Sequence, residues 1–125
     1  MSRGKKTGKY RSKFEAEVAK LLPKGYEYEP KSKKLDYVVP ATSHKYLPDF
    51  VRGKTLLEVK GHLTLQDRKK MKLLREQYPD LRIVMVLQAP NNPIRKGSKT
   101  TYAKWCEAND IEWCSLANLK DTLTK

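Results

Sequence analysis

The sequence has few cysteines and no long apolar run. Its 125 residues include two cysteines, Cys106 and Cys114, which are too few for a disulfide framework and lack the CxxC spacing of a zinc site. No apolar stretch approaches the roughly 20 residues that cross a bilayer, and the basic N-terminus lacks the apolar segment of a secretory signal. We therefore expect a cytoplasmic protein with reduced thiols, no membrane partner and no organic cofactor.

Acidic residues are also scarce. There are 14 Asp and Glu against 27 Lys and Arg, which gives a formal net charge of +13. Such an excess destabilises a small fold by self-repulsion and attracts polyanions. Nucleic acid is the commonest partner of this kind, and a membrane surface or ribosomal RNA is a lesser alternative. A charge that serves solubility alone is the remaining interpretation, although solubility rarely needs so large an excess.

The length fits one domain. We predict a single domain over residues 10–125, preceded by a flexible basic arm over residues 1–9. The cations of this arm are Arg3, Lys5, Lys6 and Lys9. Arms of this composition commonly follow the phosphates of a nucleic acid.

Apolar periodicity and turn residues predict an α/β fold, with a mixed central β-sheet flanked by helices. We expect helices at about residues 13–22, 65–78, 101–108 and 116–123. We expect strands at about residues 26–29, 35–39, 46–51, 55–60, 81–87 and 111–114, with loops at 41–44 and 89–100. A capping box begins the first helix, in which the Ser12 hydroxyl accepts from a backbone N–H and Glu15 accepts from the Ser12 N–H.

One predicted hairpin brings charged side chains together. Gly53 and Lys54 suit the two central positions of a type II′ turn. Positions that sum to 107 then face each other, so Asp49 lies opposite Glu58. Glu58 and Lys60 are two residues apart on one strand, so their side chains leave the same face. The hairpin therefore predicts two carboxylates and one ammonium within about 5–8 Å on one surface.

Two carboxylates that face each other across a sheet destabilise it, and a bound cation commonly explains them. Mg²⁺ takes oxygen ligands, typically one or two carboxylates together with water and substrate phosphates. A neighbouring lysine can orient or deprotonate a water, or neutralise charge on the phosphate. These are the parts that metal-assisted phosphodiester hydrolysis needs. The alternative is an exposed sheet face with an ordinary glutamate–lysine ion pair.

The same residues form a known motif. Pro48-Asp49, eight further residues and then Glu58-Val59-Lys60 match the PD-(D/E)xK motif of a broad nuclease superfamily. The wider pattern comprises Tyr10-Arg11-Ser12-Lys13-Phe14-Glu15, Tyr37-Val38-Val39-Pro40-Ala41, His44-Lys45-Tyr46-Leu47-Pro48-Asp49-Phe50, Glu58-Val59-Lys60-Gly61, Asp67-Arg68-Lys69-Lys70, Leu73-Leu74-Arg75-Glu76-Gln77-Tyr78-Pro79, Lys96-Gly97-Ser98, and Tyr102 with Trp105-Cys106-Glu107. Over nearly all of residues 10–113, this pattern resembles the phage endonuclease I family of Holliday-junction resolvases.

The resemblance implies a restriction-endonuclease-like nuclease core. The catalytic residues that it implies are Glu15, Asp49, Glu58 and Lys60. It also implies Mg²⁺ as the cofactor, with Mn²⁺ as a substitute and one or two ions per site. One ion would be held by Asp49, Glu58 and the backbone carbonyl of Val59. A second ion would be shared by Asp49 and Glu15.

The resemblance further implies a domain-swapped homodimer. In such a dimer the first helix and strand of each chain complete the sheet of its partner, and an extended bridge joins the two halves. The matching bridge is roughly residues 33–40. Pro30 and Pro40 bracket a polar, extended segment there, which agrees with this interpretation.

Several assignments have alternatives. Glu15 is also explained as the capping partner at the helix N-terminus, and Glu17 is the fallback candidate for the acidic position. A single histidine such as His44 is more typical of a loop than of a metal site. Trp105 and Trp113 are more typical of core residues than of base-stacking platforms.

Basic residues outside the motif are candidates for contact with DNA. They lie in the arm, in the helix that follows the catalytic strand and in the loop at 89–100. They are Arg3, Lys5, Lys6, Lys9, Arg11, His62, Arg68, Lys69, Lys70, Arg95, Lys96 and Lys99. An ordinary solvated helix face is the alternative for Arg68, Lys69 and Lys70, although their position after the catalytic strand favours contact with phosphate.

Together these features predict a structure-selective endonuclease that cleaves four-way junctions and other branched DNA, in the host cytoplasm if the protein is phage-encoded. Shape and charge would dominate recognition, with little base readout. Two alternatives stay open. One is a basic nucleic-acid-binding module without catalysis, and the other is a PD-(D/E)xK nuclease that acts on ordinary duplex DNA.

Overall fold

A computed structural model of the chain describes residues 9–39 and 42–124. Arg3, Lys5 and Lys6 of the expected basic arm lie outside the described residues. In chain order the elements are α1 (Lys13–Leu21), β1 (Glu27–Tyr28), a 3₁₀ turn (Lys31–Lys33), β2 (Leu35–Val39), β3 (Thr42–Tyr46), β4 (Phe50–Arg52), β5 (Thr55–Lys60), α2 (Leu65–Gln77), β6 (Arg82–Leu87), α3 (Tyr102–Ala108), β7 (Glu112–Cys114) and α4 (Leu119–Leu123). This order confirms the α/β class.

A five-stranded mixed sheet forms the centre of the fold, with strand order β1-β4-β5-β6-β7. β1, β4 and β5 are antiparallel neighbours. β6 and β7 continue the sheet in parallel. A parallel pair needs a crossover connection, and α2 lies in the connection between β5 and β6.

The central strand β6 is covered on both faces, as its continuous apolar sequence predicts. Ile83 and Met85 belong to the core that α2 and α3 complete. Val84 and Val86 belong to the core that α1 and α4 complete on the opposite face. Because alternate residues of a strand point to opposite faces, one short apolar run supplies the centre of both cores.

A second, two-stranded sheet is formed by β2 and β3. The expectation of a loop at 41–44 is therefore wrong for Thr42 to His44, which belong to β3. The expectation of a strand at 46–51 is wrong in its first half, because Tyr46 ends β3 and β4 begins only at Phe50. Pro48 lies between the two strands and has no N–H to donate to a sheet ladder.

The N-terminus of α1 differs in part from the expected capping box. The Ser12 hydroxyl accepts from the Glu15 N–H at 3.0 Å, as predicted. The reciprocal bond is wrong, because the Glu15 carboxylate instead accepts from the Arg11 N–H at 2.9 Å and from the Tyr28 hydroxyl at 2.8 Å. The contact with Tyr28 turns Glu15 toward the sheet.

The remaining expectations about the core are confirmed. Cys106 and Cys114 are free and buried. Trp105 and Trp113 are partly buried and pack against the core. Across residues 9–39 and 42–124, no helix combines the length and the apolar character that crossing a membrane requires.

Candidate active site

The hairpin between β4 and β5 has the register that the sequence predicts. Phe50 pairs with Leu57, and the ladder ends at the turn that contains Gly53. Gly53 has φ +58°, a conformation that glycine adopts without strain and that a type II′ turn requires at this position. Asp49 precedes β4, and its Oδ2 accepts from the Val59 N–H at 2.8 Å. The turn thus fixes the Asp49 carboxylate against β5, beside Glu58.

Glu58 and Lys60 leave the same face of β5 and form an ion pair. Lys60 Nζ lies 3.3 Å from Glu58 Oε2 and 3.0 Å from Asp67 Oδ1. Glu58 is only 4% exposed, and its Oε1 accepts from the hydroxyl of Tyr46. The prediction that Glu58 and Lys60 lie together is confirmed, but Glu58 is buried and Lys60 is partly buried, so the pair does not lie on an exposed sheet face.

Three carboxylates meet beside this ion pair. Glu15, Glu29 and Asp49 each offer an oxygen, and these oxygens lie within 4.8 Å of one another. Glu15 comes from the first turn of α1 and is 7% exposed. Glu29 is placed by its own N–H, which donates to the backbone carbonyl of Asp49 at 3.0 Å. Glu29 has φ +42°, an uncommon conformation for a residue other than glycine.

The electrostatics of the site favour a cation. Burial, and then the neighbouring Glu58, raises the pKa of Asp49 to about 8. Burial also raises the pKa of Glu58, although Lys60 and Tyr46 partly oppose this effect. Burial alone would lower the pKa of Lys60, but the carboxylates of Glu58 and Asp67 outweigh it and raise that pKa. Lys60 therefore keeps its proton. Any further positive charge near the carboxylates would stabilise their ionised form.

The donor set suits a hard divalent cation. Carboxylate oxygens are the ligands that Mg²⁺ and Mn²⁺ prefer, and Glu15, Glu29 and Asp49 supply three of them at one point. Glu58 lies outside that group of three, since its oxygens contact Tyr46 and Lys60. The predicted roles of Glu58 and of the Val59 carbonyl as metal ligands stay predictions.

The basic residues predicted to contact DNA divide into two groups. The exposed ones among the described residues are Lys9, Arg11, His62, Lys69, Arg95, Lys96 and Lys99. Lys70 is partly buried, with its ammonium 5.3 Å from the centroid of the Tyr46 ring. Arg11 is exposed but bound to Glu29, at 2.9 Å between Nε and Oε2.

Arg68 is the exception, because both the predicted contact with DNA and the alternative of a solvated helix face require an exposed side chain. Its side chain is buried, with 8% exposed. The Arg68 Nη1 group donates to the Leu63 carbonyl at 2.8 Å and to the Ile94 carbonyl at 3.1 Å. These bonds tie α2 to the loop at 89–100, so the cation is used inside the fold and is not presented to DNA.

Sequence reasoning missed four residues that hold the site together: Glu29, Tyr28, Tyr46 and Asp67. Glu29 was detectable in principle, because β1 pairs with β4 in positions that sum to 78, as in Tyr28 with Phe50. That sum places Glu29 opposite Asp49. The sequence does not reveal that β1 and β4 are neighbours, so the signal is usable only once the sheet order is known.

The sequence is similar to a known protein family and to proteins of two phages. Residues 1–119 match the family described as phage endonuclease I. The chain is 40% identical over 111 residues to Endonuclease I of Escherichia phage T7, a match that covers 87% of this chain and 74% of the relative. It is 38% identical over 104 residues to Endodeoxyribonuclease 1 of Enterobacteria phage T3, which covers 82% of this chain and 68% of the relative.

Proposed function

The chain belongs to the phage endonuclease I family, and from that premise we propose that it is a structure-selective DNA endonuclease. Its substrates would be four-way junctions and other branched DNA, and its reaction would be metal-dependent hydrolysis of a phosphodiester bond. One observation carries the proposal: a three-carboxylate cluster lies beside the ion pair of the buried Glu58 with Lys60 in a chain with a net charge of +13.

The cofactor of this reaction would be Mg²⁺, with Mn²⁺ as a substitute and one or two ions per site. Asp49, Glu58 and the Val59 carbonyl would hold one ion, and Asp49 and Glu15 would share a second, with Glu29 as an additional ligand suggested by the geometry. When bound, the ion would act as a Lewis acid on the phosphate and would activate the attacking water. The network between β4, β5 and α1 would keep its ligands in place.

Lys60 would stabilise negative charge on the phosphate. Its raised pKa keeps the ammonium charged, because Glu58 and Asp67 both contact it. A charged ammonium donates to a phosphate oxygen and does not accept a proton from water. Of the roles that the sequence left open, this observation favours charge stabilisation over proton abstraction.

Recognition would depend on phosphate contacts and on the shape of the branched substrate. The proposed DNA contacts are Arg3, Lys5, Lys6, Lys9, Arg11, His62, Lys69, Lys70, Arg95, Lys96 and Lys99. Arg68 is withdrawn from this set because it is buried. We also retain a homodimer as part of the proposal, with residues 33–40 as the bridge of a swapped pair.

Cleavage assays on an immobile four-way junction and on its component duplex arms, with and without Mg²⁺, test the function. We expect cleavage of the junction only with Mg²⁺ and little cleavage of the arms. Equal cleavage of junction and arms would favour a duplex nuclease. Binding without cleavage in any divalent metal would favour a non-catalytic binding module.

A further inference from the structure

Each of the buried acids in the site is bound by a tyrosine. Within the described part of the chain, Glu15 and Glu58 are the two acidic residues that are buried. The Tyr28 hydroxyl donates to Glu15 Oε1 at 2.8 Å, and the Tyr46 hydroxyl donates to Glu58 Oε1. The two tyrosines come from different strands, β1 and β3, so the same arrangement arises twice in one site.

Both tyrosine rings are held in place by their surroundings. The Tyr28 ring packs edge-on against Tyr10, with 4.6 Å between centroids, and lies 5.3 Å from the Phe50 ring. Tyr46 is 3% exposed, and the Lys70 ammonium lies 5.3 Å from the centroid of its ring. Because a packed aromatic ring has few accessible rotamers, the position of each hydroxyl is fixed by the fold.

A fixed hydroxyl orients the carboxylate that it contacts. The last torsion of a glutamate side chain is broad, so the carboxylate plane is poorly defined without a partner. In Glu58, Tyr46 takes Oε1 and leaves Oε2 facing Lys60 at 3.3 Å. In Glu15, the Tyr28 hydroxyl and the Arg11 N–H both donate to Oε1. These two bonds fix the plane of the carboxylate and therefore the direction of Oε2.

We propose that Tyr28 and Tyr46 are positioning residues of the nuclease, which hold Glu15 and Glu58 in the orientation that the catalytic cation and Lys60 require. The inference rests on the proposed function. Hydrogen bonds to metal-binding carboxylates commonly matter in this way, and their loss lowers metal affinity or activity by roughly 10–100-fold. The competing explanation is that each hydroxyl merely satisfies a buried oxygen.

Single Tyr→Phe substitutions separate the two explanations, since each removes one hydroxyl and retains the ring. Tyr46→Phe and Tyr28→Phe are compared with Tyr78→Phe, whose hydroxyl donates to the backbone carbonyl of Asp36 and to no carboxylate of the site. For each variant we measure single-turnover junction cleavage against Mg²⁺ concentration, junction affinity in EDTA, and the melting temperature.

For Tyr46→Phe and Tyr28→Phe we expect the cleavage rate at a fixed, subsaturating Mg²⁺ concentration to fall by about 10–100-fold. The half-saturating Mg²⁺ concentration should rise, and junction affinity should stay within about twofold of the wild type, since no phosphate contact is lost. Tyr78→Phe should cleave like the wild type, even where its melting temperature falls by as much as that of the other variants.

Several results would overturn the inference. One is a wild-type rate and metal dependence in a folded Tyr46→Phe protein. Another is a loss of rate that Tyr78→Phe shares at equal loss of stability. If Tyr46→Phe does not fold, Tyr28→Phe decides, because Glu15 keeps the Arg11 N–H as a donor. A wild-type protein that does not cleave any branched DNA would contradict the proposed function instead.

Discussion

Asp49 is a carboxyl that shares its surroundings with Glu58 and Glu15. Burial and these neighbours raise its pKa to about 8, whereas an aspartate in an unfolded chain titrates near 4. A raised acid pKa means that the folded state binds the proton more tightly. The ionised form therefore destabilises the fold, and this effect is absent below about pH 4 and complete above about pH 8.

We expect Asp49→Asn to stabilise the metal-free protein at pH 8. An asparagine oxygen can still accept from the Val59 N–H, while the cost of burying a charge and the repulsion by Glu58 are both removed. The full pKa shift corresponds to about 5 kcal/mol, but solvent screens a carboxylate that is only partly buried, so we expect a gain on the order of 1–2 kcal/mol, or several degrees in melting temperature. The difference in stability between the variant and the wild type should shrink toward pH 4. Added Mg²⁺ should also reduce this difference, because it stabilises the wild type. Thermal melts between pH 4 and 8 measure it, with the exposed Asp80→Asn as control.

An Asp49→Asn protein that melts below the wild type at pH 8, with Asp80→Asn unchanged, would contradict the prediction. Such a result would mean that the ionised carboxylates of the cluster do not destabilise the metal-free protein. The three-carboxylate arrangement would then lose its strongest argument for a cation.

Lys60 contributes to the reaction more than to binding, if its ammonium stabilises charge that develops in the transition state. We expect Lys60→Ala to lower the single-turnover cleavage rate by about 100-fold or more. Junction affinity should change far less, since one phosphate contact is lost among many. Lys104→Ala, on the exposed face of α3, is the matched control. Equal losses of affinity and rate would make Lys60 one more phosphate contact.

At the scale of elements, α2 has two kinds of cation. Arg68 binds two backbone carbonyls inside the fold, whereas the neighbouring Lys69 is exposed. We expect Arg68→Met to lower the free energy of unfolding by about 2–3 kcal/mol, because buried carbonyls lose a charged donor. Lys69→Met should change stability by less than about 0.5 kcal/mol, and should lower the salt slope of junction binding by about 0.9.

Urea unfolding and junction titrations at several salt concentrations measure both variants. The contrast between adjacent residues is the test, since each substitution removes one positive charge from the same helix. An Arg68→Met protein with wild-type stability and reduced affinity would show that Arg68 acts at the surface in solution.

The elements that the sequence predicted are those with a local signal. The turn residues Gly53 and Lys54 determine the register of the β4–β5 hairpin, and that register is enough to place Asp49 beside Glu58. The apolar run at Arg82–Leu87 identifies the buried central strand. In both cases the residues that determine the fold lie within a few positions of each other.

The elements that the sequence did not predict depend on partners far along the chain. Thr42 to Tyr46 forms a strand because it pairs with β2, although its polar sequence has no strand pattern of its own. Glu29 enters the site because β1 lies beside β4. Arg68 is buried because a carbonyl 26 residues away accepts from it. Local propensity contains none of these contacts.

The molecule as a whole combines a net charge of +13 with an acidic site, and the two opposite charges contribute to the same reaction. A cationic surface concentrates DNA, and a phosphate that reaches the carboxylate cluster is repelled unless a divalent cation intervenes. Metal dependence thus follows from the charge distribution as well as from the ligand set. The repulsion between carboxylates and phosphate also explains why the loss of a site carboxylate should spare or improve DNA binding.

The proposed swapped dimer predicts which chain supplies each residue of an active site. Glu15 and Glu29 precede residues 33–40, and Asp49, Glu58 and Lys60 follow them. If residues 33–40 bridge two chains, each site combines the first set from one chain with the second set from its partner. If they do not, each chain supplies a complete site of its own.

A heterodimer of one Glu15→Gln chain and one Asp49→Asn chain distinguishes these arrangements. In a swapped dimer, one site collects both substitutions and the other collects neither, so the heterodimer should nick one strand of a junction. In an unswapped dimer, each site carries one substitution and neither should cleave.

The two chains are co-expressed with different affinity tags and purified by both tags in turn. The heterodimer is then assayed for nicking in comparison with the two mutant homodimers. Glu17, the fallback candidate for the acidic position, is exposed on α1 and is not part of the three-carboxylate cluster. Glu17→Gln therefore replaces Glu15→Gln in the control heterodimer, where one intact site is expected in either arrangement. A stable Glu15→Gln heterodimer with no nicking above the homodimers, beside an active control, would contradict the composite site.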